Sequence, residues 1–319
     1  MEKQPVLAVV GKIIEIKAIE GADRIRSATA VCGHAGKWVG VVDLETNVGD
    51  MVTVFLQDAV LPPEDRFDFM KRHKYRVRIA RFKGSPSECL IMKLGDESCR
   101  EIGDDRTIEL GVTKHEKPIP ANLSGKIKGH FPQFIPKTDE ENFQRVRELV
   151  ERMVEGYVAT LKMDGSSCTA FVDEKDKSLR VCSRNLELIE TDGNGYWKVA
   201  RELQLDRLIP GIALQFEICG PGVQGNPAGF DKLVGRAFKA FDIIGKKYLD
   251  RGNFERMCEA FGIPIAPILF TGNQVKTDDE LRYIASSVKY INGKPAEGVV
   301  ISSLNGDWSF KVINPDYKE

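Results

Sequence analysis

Lys162-Met163-Asp164-Gly165 sets an amine two residues from a carboxylate where a strand-like run meets a tight turn. In Tyr157–Lys162, strand alternation puts Val158, Thr160 and Lys162 on one face and Tyr157, Ala159 and Leu161 on the other. The lysine is therefore held by a sheet rather than waving in solvent. Burial favours the neutral amine, and a neutral amine attacks carbonyl or phosphoryl centres. Further pieces follow in order: Ser183-Arg184-Asn185; Glu217 inside the apolar run Leu214–Gly220; Phe241-Asp242 inside Phe238–Ile243; Glu297-Gly298-Val299-Val300; and Lys311 inside Ser309–Ile313. A charge at a strand end is ordinarily just solvated, so each piece alone is weak. Together they offer a nucleophile, cations for phosphate oxygens, and carboxylates of the kind hard divalent cations take.

The elements that must hold these residues divide in two. At 319 residues, 42% hydrophobic and 29% charged, the chain suits a globular protein of two domains, at about 150 residues each. The first ~110 residues are strand-like: Val6–Ile16, Arg26–Cys32, Lys37–Asp43, Met51–Leu56, Tyr75–Ala80 and Cys89–Leu94, separated by turn formers. Such short runs imply a small closed β-barrel. Between Gly111 and Pro136, prolines 118, 120, 132 and 136 mark a linker, so the expected domains are 1–115 and 116–319. Beyond it, helical spacing fits Trp197–Leu208, Phe254–Phe261 and Asp278–Ile291. Thr138–Glu141 and Thr277–Glu280 read as capping boxes, the first opening a helix through Phe143, Val146, Val150 and Met153. Strand-like runs lie between, without regular crossover helices, which predicts an α+β domain of mainly antiparallel sheets with flanking helices.

The ordered set resembles the covalent nucleotidyltransferase superfamily of ATP-dependent ligases and capping enzymes. Phe131–Glu141, Lys162–Ser167, Cys219–Asn226 and Glu297–Val300 narrow the resemblance to the ATP-dependent RNA ligases, in a clade whose OB module precedes the catalytic domain. It covers residues ~125–314 and implies these roles. Lys162 attacks the α-phosphate of ATP to give lysyl-AMP. Asp164, Asp242 and Glu297 face a Mg²⁺ or Mn²⁺ ion. Arg184 orients the nucleotide and the RNA end, Glu217 bonds the ribose hydroxyls, Phe241 stacks on adenine, and Lys311 contacts the α-phosphate. The family's last motif usually carries two lysines one residue apart. Here Lys311 stands alone, and Lys318 lies too near the chain end to replace the second. A DNA ligase or a GTP-using capping enzyme on the same fold, and a non-catalytic RNA-binding protein, remain as alternatives.

Net charge is -1, from 46 basic and 47 acidic residues, yet Arg66–Lys83 holds eight Lys/Arg against a single acid, with four aromatics. Alternation of Lys74, Arg76 and Arg78 with Tyr75, Val77 and Ile79 predicts a strand with one basic face, suited to tracking phosphates. The expected partner is RNA or a nicked RNA/DNA duplex, bound by a monomer. Seven cysteines without a CxxC pair, no apolar run of membrane-spanning length and no signal-peptide pattern point to a reducing cytoplasm and away from a membrane.

Overall fold

A computed structural model of the chain describes residues 5–116 and 125–317. They form two compact units: residues 5–116 together with Gln144–Arg147, and residues 125–143 together with 148–317. In the first unit β1 (Ala8–Ala18), β2 (Arg26–Val31), β3 (Lys37–Val42), β4 (Met51–Phe55) and β5 (Cys89–Met92) close into the expected barrel in the order β1-β2-β3-β5-β4. The β3–β5 pair is parallel and the rest are antiparallel. Alternate residues point inward, so Val9, Ile13, Ala28, Ala30, Trp38, Val52, Val54 and Ile91 fill the interior. The expected strand Tyr75–Ala80 does not form. Asp65–His73 is a 3₁₀ helix, and Lys74 and Tyr75 take positive φ angles of 53° and 58°, which breaks the extended run at its start. Arg76 is buried against Asp58 at 2.7 Å instead of joining a basic face, whereas Lys71, Arg72, Lys74, Arg78, Arg81 and Lys83 are exposed.

The second unit contains two antiparallel sheets. The larger takes β6 (Ile127–His130), β8 (Ser166–Val172), β9 (Leu179–Ser183), β10 (Leu186–Leu188), β11 (Ile212–Cys219), β12 (Val234–Asp242) and β13 (Lys247–Tyr248) in the order β6-β10-β9-β8-β11-β12-β13. The smaller takes β7 (Tyr157–Leu161), β14 (Ile268–Gly272), β15 (Gly298–Ser303) and β16 (Ser309–Ile313) in the order β14-β7-β15-β16. One face of the larger sheet, with Leu214, Phe216, Ile218, Ala237 and Ala240, packs on α2 (Gly195–Glu202) and α3 (Arg251–Phe261). Asn194 and Asp250 cap these helices by accepting backbone N–H groups. The capping box at Thr277 and Glu280 opens α4 (Asp278–Ser287) as its sequence predicts.

The other capping box is a correction. No helix begins at Thr138, and the nearest one, α1, runs only over Arg147–Glu151. Pro136–Phe143 instead crosses from one sheet to the other. Gln215 Nε2 donates to Pro136 O at 2.8 Å, and Thr138 Oγ1 and Ser167 Oγ lie 3.0 Å apart. Lys311 N then donates to Glu141 O at 2.8 Å, and Phe143 N to Lys311 O at 3.0 Å. These partners, distant in sequence, outweigh the local helical preference. Among the described residues no helix is long and apolar enough to cross a membrane.

Candidate active site

Pairing places Lys162, Thr160, Val300, Ser309 and Lys311 on one face of the smaller sheet. The facing side of the larger sheet carries Ser167, Thr169, Gln215, Glu217 and Lys239. The turn from β7 into β8 brings the two faces together. A Cβ on Gly165 would lie 2.2 Å from Ile218 O and 2.9 Å from Glu217 Cγ, so the last residue of the Lys-Met-Asp-Gly run must be glycine for the turn to pass this close to β11. Gly298, with φ 145°, leaves its Cα open to Val312 O, which a Cβ would approach to 2.1 Å. This tight crossing lets Lys162 N donate to Gly298 O at 2.9 Å.

Lys162 Nζ donates to Glu297 Oε2 at 2.6 Å, with the two side chains 22% and 10% exposed. The pair is thus largely buried without being sealed from solvent. Asp164 is buried beside it and accepts a hydrogen bond from the Tyr317 hydroxyl. Arg184 stands in the β9–β10 turn, one residue past Ser183, which pairs with Cys168 near the start of β8. That puts it at the same rim as Lys162 and Glu217, where it pairs with Asp139 at 2.6 Å, both being half exposed. Contacts bring Lys162, Asp164, Glu217 and Glu297 together at one end of the space between the sheets, with Lys311 on the Lys162 face of the smaller sheet and Arg184 in the turn after β9.

Phe241 and Asp242 do not join them. Phe241 pairs with Ala213, four residues along β11 from Glu217, or ~13 Å at about 3.3 Å per residue. It is 5% exposed, packs with Phe131, Ile135 and Phe171, and meets Tyr248 edge-on at 5.2 Å. Asp242 lies one residue further, and its Oδ1 accepts from Ile244 N at 3.0 Å and Gly245 N at 2.8 Å, capping the β12–β13 turn. Its side chain is spent on that turn, which corrects its place beside Asp164 and Glu297. An aromatic nearer the site is Phe238, half-buried in a β-bulge where β12 carries one residue more than β11. A register shift of this kind has no signature in the sequence.

Lys239 was also passed over. Its Nζ reaches Glu140 Oε1 at 2.7 Å and Ser309 Oγ at 2.5 Å, and stands 5.0 Å from the Tyr248 ring centroid. Burial, with Glu140 nearby, pushes the Tyr248 hydroxyl up to about 12. A second lysine thus stands on the Lys311 face of β16, delivered from the opposite sheet, whereas Lys318 lies outside the described residues. The cysteines are all free and buried apart from Cys99, and burial raises the Cys219 thiol, beside Glu217, well above its ordinary value.

The donors near Lys162 are carboxylate oxygens, which suit a hard divalent cation. Among the described residues no group of three or more His, Cys, Asp or Glu side chains could enclose one. Asp164 and Glu297 are the carboxylates able to hold a Mg²⁺ or Mn²⁺ ion, which commonly keeps several of its waters.

Comparison with known proteins agrees with this arrangement. The RNA ligase family matches residues 155–313. An apo aspartate-to-alanine mutant of an RNA ligase from Naegleria gruberi superposes with a TM-score of 0.84 and 30% identity, covering 97% of this chain and 96% of that one. The same ligase with PPi superposes with a TM-score of 0.84, at 31% identity and 97% coverage of both chains. A lysine-to-alanine mutant of it with ATP and Mn gives the same TM-score, identity and coverage. No curated protein matches.

Proposed function

This chain belongs to the RNA ligase family, and from that premise we propose that it joins a 3′-OH to a 5′-phosphate with ATP as the AMP donor, through an AMP carried on Lys162. The contact that supports this most is Lys162 Nζ on Glu297 Oε2 at 2.6 Å, on a sheet face turned toward Glu217. The lone pair of Nζ forms a bond to the α-phosphorus. The bond from that phosphorus to the bridging oxygen breaks, and its electron pair leaves with pyrophosphate. The proton shed by the amine departs along the hydrogen bond to Glu297. Before the reaction that same bond aims the nitrogen, holding the attacking atom in line.

Charge on the phosphate oxygens is met by Lys311 and Arg184. Arg184 is free to exchange Asp139 for phosphate at little cost, since exposed ion pairs contribute about 0–1 kcal/mol. Glu217 accepts from the ribose hydroxyls. Asp164 and Glu297 would hold a Mg²⁺ or Mn²⁺ ion, which would supply further neutralisation of the triphosphate. AMP then passes to the RNA 5′-phosphate, and attack by the 3′-OH releases it. We take the substrate to be a nicked duplex. Its backbone would follow the exposed Lys71, Arg72, Lys74, Arg78, Arg81 and Lys83, with Phe69 and Phe82 as exposed aromatic faces among them. In this scheme residues 1–115 are the nucleic-acid module and 116–319 the adenylyltransferase, acting as a monomer in a reducing cytoplasm.

A panel of nicked duplexes, with each strand switched in turn between RNA and DNA, tests the proposal. ATP-dependent sealing is expected where the 3′-OH strand is RNA. Sealing of no member, or equal sealing of the all-DNA nick, would contradict it.

A further inference from the structure

Behind the Lys162–Glu297 pair lies a phenol that the chemistry above does not use. Tyr290 is 3% exposed and packs with Leu161, Met163, Cys219 and Ala296. Alternation puts Leu161 on the sheet face opposite Lys162, so the ring approaches the nucleophile's strand from the rear. Its hydroxyl accepts from Asp164 N at 3.1 Å and from Glu297 N at 3.2 Å, and donates to Lys162 O at 3.2 Å. One donor and two acceptor sites are the whole capacity of a phenol, and here they go to the backbones of Lys162, Asp164 and Glu297.

The rest of the surroundings fixes the phenol itself. Tyr290 N donates to Lys294 O at 2.9 Å, and Gly293 N to Tyr290 O at 2.9 Å, making a tight turn immediately ahead of Glu297. Tyr317 meets the ring edge-on at 6.4 Å while its own hydroxyl donates to Asp164 Oδ2. Asn314, 1% exposed, ties the same segment down: its Nδ2 donates to Ala296 O and its N to Glu297 O, both at 2.9 Å.

We propose that Tyr290 is a positioning residue for adenylylation: its hydroxyl couples the Lys162–Asp164 turn to the Glu297 backbone and so sets the aim of the Lys162 amine, with Tyr317 holding the Asp164 carboxylate from the other side. It touches no reacting atom. Two backbone segments far apart in sequence each contribute one half of the Lys162–Glu297 contact, and the phenol is a bonded bridge between their backbones. Without it the N–H groups of Asp164 and Glu297 lose their shared acceptor, and the two halves are free to drift by the tenths of an ångström that in-line attack does not tolerate.

This rests on Lys162 being the residue that accepts AMP, so the test separates the two ideas. Single-turnover lysyl-AMP formation is measured over a range of ATP concentrations for the full-length wild type, Tyr290→Phe, Tyr317→Phe and Tyr157→Phe. Tyr157 is a buried phenol at the far end of the same strand, away from Lys162, and controls for general loss of packing. Tyr290→Phe is expected to lower the rate at saturating ATP about 10- to 100-fold while the ATP concentration for half-maximal rate stays within about threefold. Tyr317→Phe, which removes one partly buried hydrogen bond, is expected to lower it less, and Tyr157→Phe to leave it unchanged. A Tyr290→Phe rate within threefold of wild type would overturn the proposal. So would an equal fall in Tyr157→Phe, or an unaltered rate in Tyr317→Phe should Tyr290→Phe not fold. A wild type that forms no lysyl-AMP would instead remove the premise about Lys162.

Discussion

Gly298 shows how narrowly single residues set this site. Its φ of 145° belongs to glycine, and any side chain there would press on Val312 O. The same residue's carbonyl receives Lys162 N, so strain at 298 is passed directly to the nucleophile. Gly298→Ala should cost about 1–3 kcal/mol in urea unfolding and slow adenylylation more than a stability loss of that size explains. Equal adenylylation rates in the two proteins would show that the crossing is not needed. Burial alone does not mark out the chemistry: Asp164 and Glu297 are buried like core residues, yet each faces a polar partner.

At the scale of elements, the bulge in β12 adds Phe238 as a second candidate, beside Phe241, for the ring that stacks on adenine. Phe238→Ala should raise the KM for ATP with little loss of stability, because that ring is half exposed. Phe241→Ala should instead destabilise the fold by about 3–5 kcal/mol, since it empties a packed cluster. The reverse pattern, read by thermal melting and ATP titration, would favour Phe241 as the stacking ring. In the barrel unit, Arg106 is 2% exposed and bonds Thr53, Asp96 and Glu109. Hydrogen bonds from Arg100 to Asp96, and from Arg106 to Glu109, hold both carboxyls below their ordinary values. A depressed carboxyl stabilises the fold above its unfolded pKa and loses that contribution as the pH falls through the folded one. Barrel stability should therefore be flat near neutrality and decline below about pH 4, and Arg106→Met should shrink the acid-dependent part of the decline in pH-resolved unfolding.

These elements also show what the sequence made legible. Strands with period-2 alternation and tight turns, such as Lys37–Val42, are readable because the pattern itself is what buries one face. The order of Lys162, Asp164, Glu217 and Glu297 along the strands survives folding as proximity, through the Lys162–Glu297 contact, the shared Tyr290 hydroxyl and the close pass of Gly165 over Glu217. The Thr138 capping box failed because its side chains found partners on Ser167, Arg184 and Lys239, and nothing local announces such partners. Asp242 failed for a related reason. Adjacency to Phe241 in sequence says nothing about which end of β12 faces Lys162. Tyr290 and Lys239 were invisible because their roles depend on a second strand that only the fold supplies.

Across the whole molecule, a net charge of -1 coexists with a strongly basic, largely exposed segment in one unit and a site holding Asp164, Glu217 and Glu297 in the other. Opposed patterns cancel in the sum without cancelling in space. Replacing Lys71, Lys74, Arg78 and Arg81 together by glutamine should weaken binding of nicked RNA and flatten its dependence on salt concentration, while lysyl-AMP formation stays near wild type. An unchanged salt slope would move the RNA contact elsewhere. The central claim is chemical: Lys162 carries AMP. The protein is incubated with ATP and Mg²⁺ or Mn²⁺, digested, and its peptides are weighed by mass spectrometry beside those of Lys162→Ala. An AMP adduct on the Lys162 peptide of the wild type, absent from the variant, is the expected result; an adduct on another lysine, or on none, would contradict it.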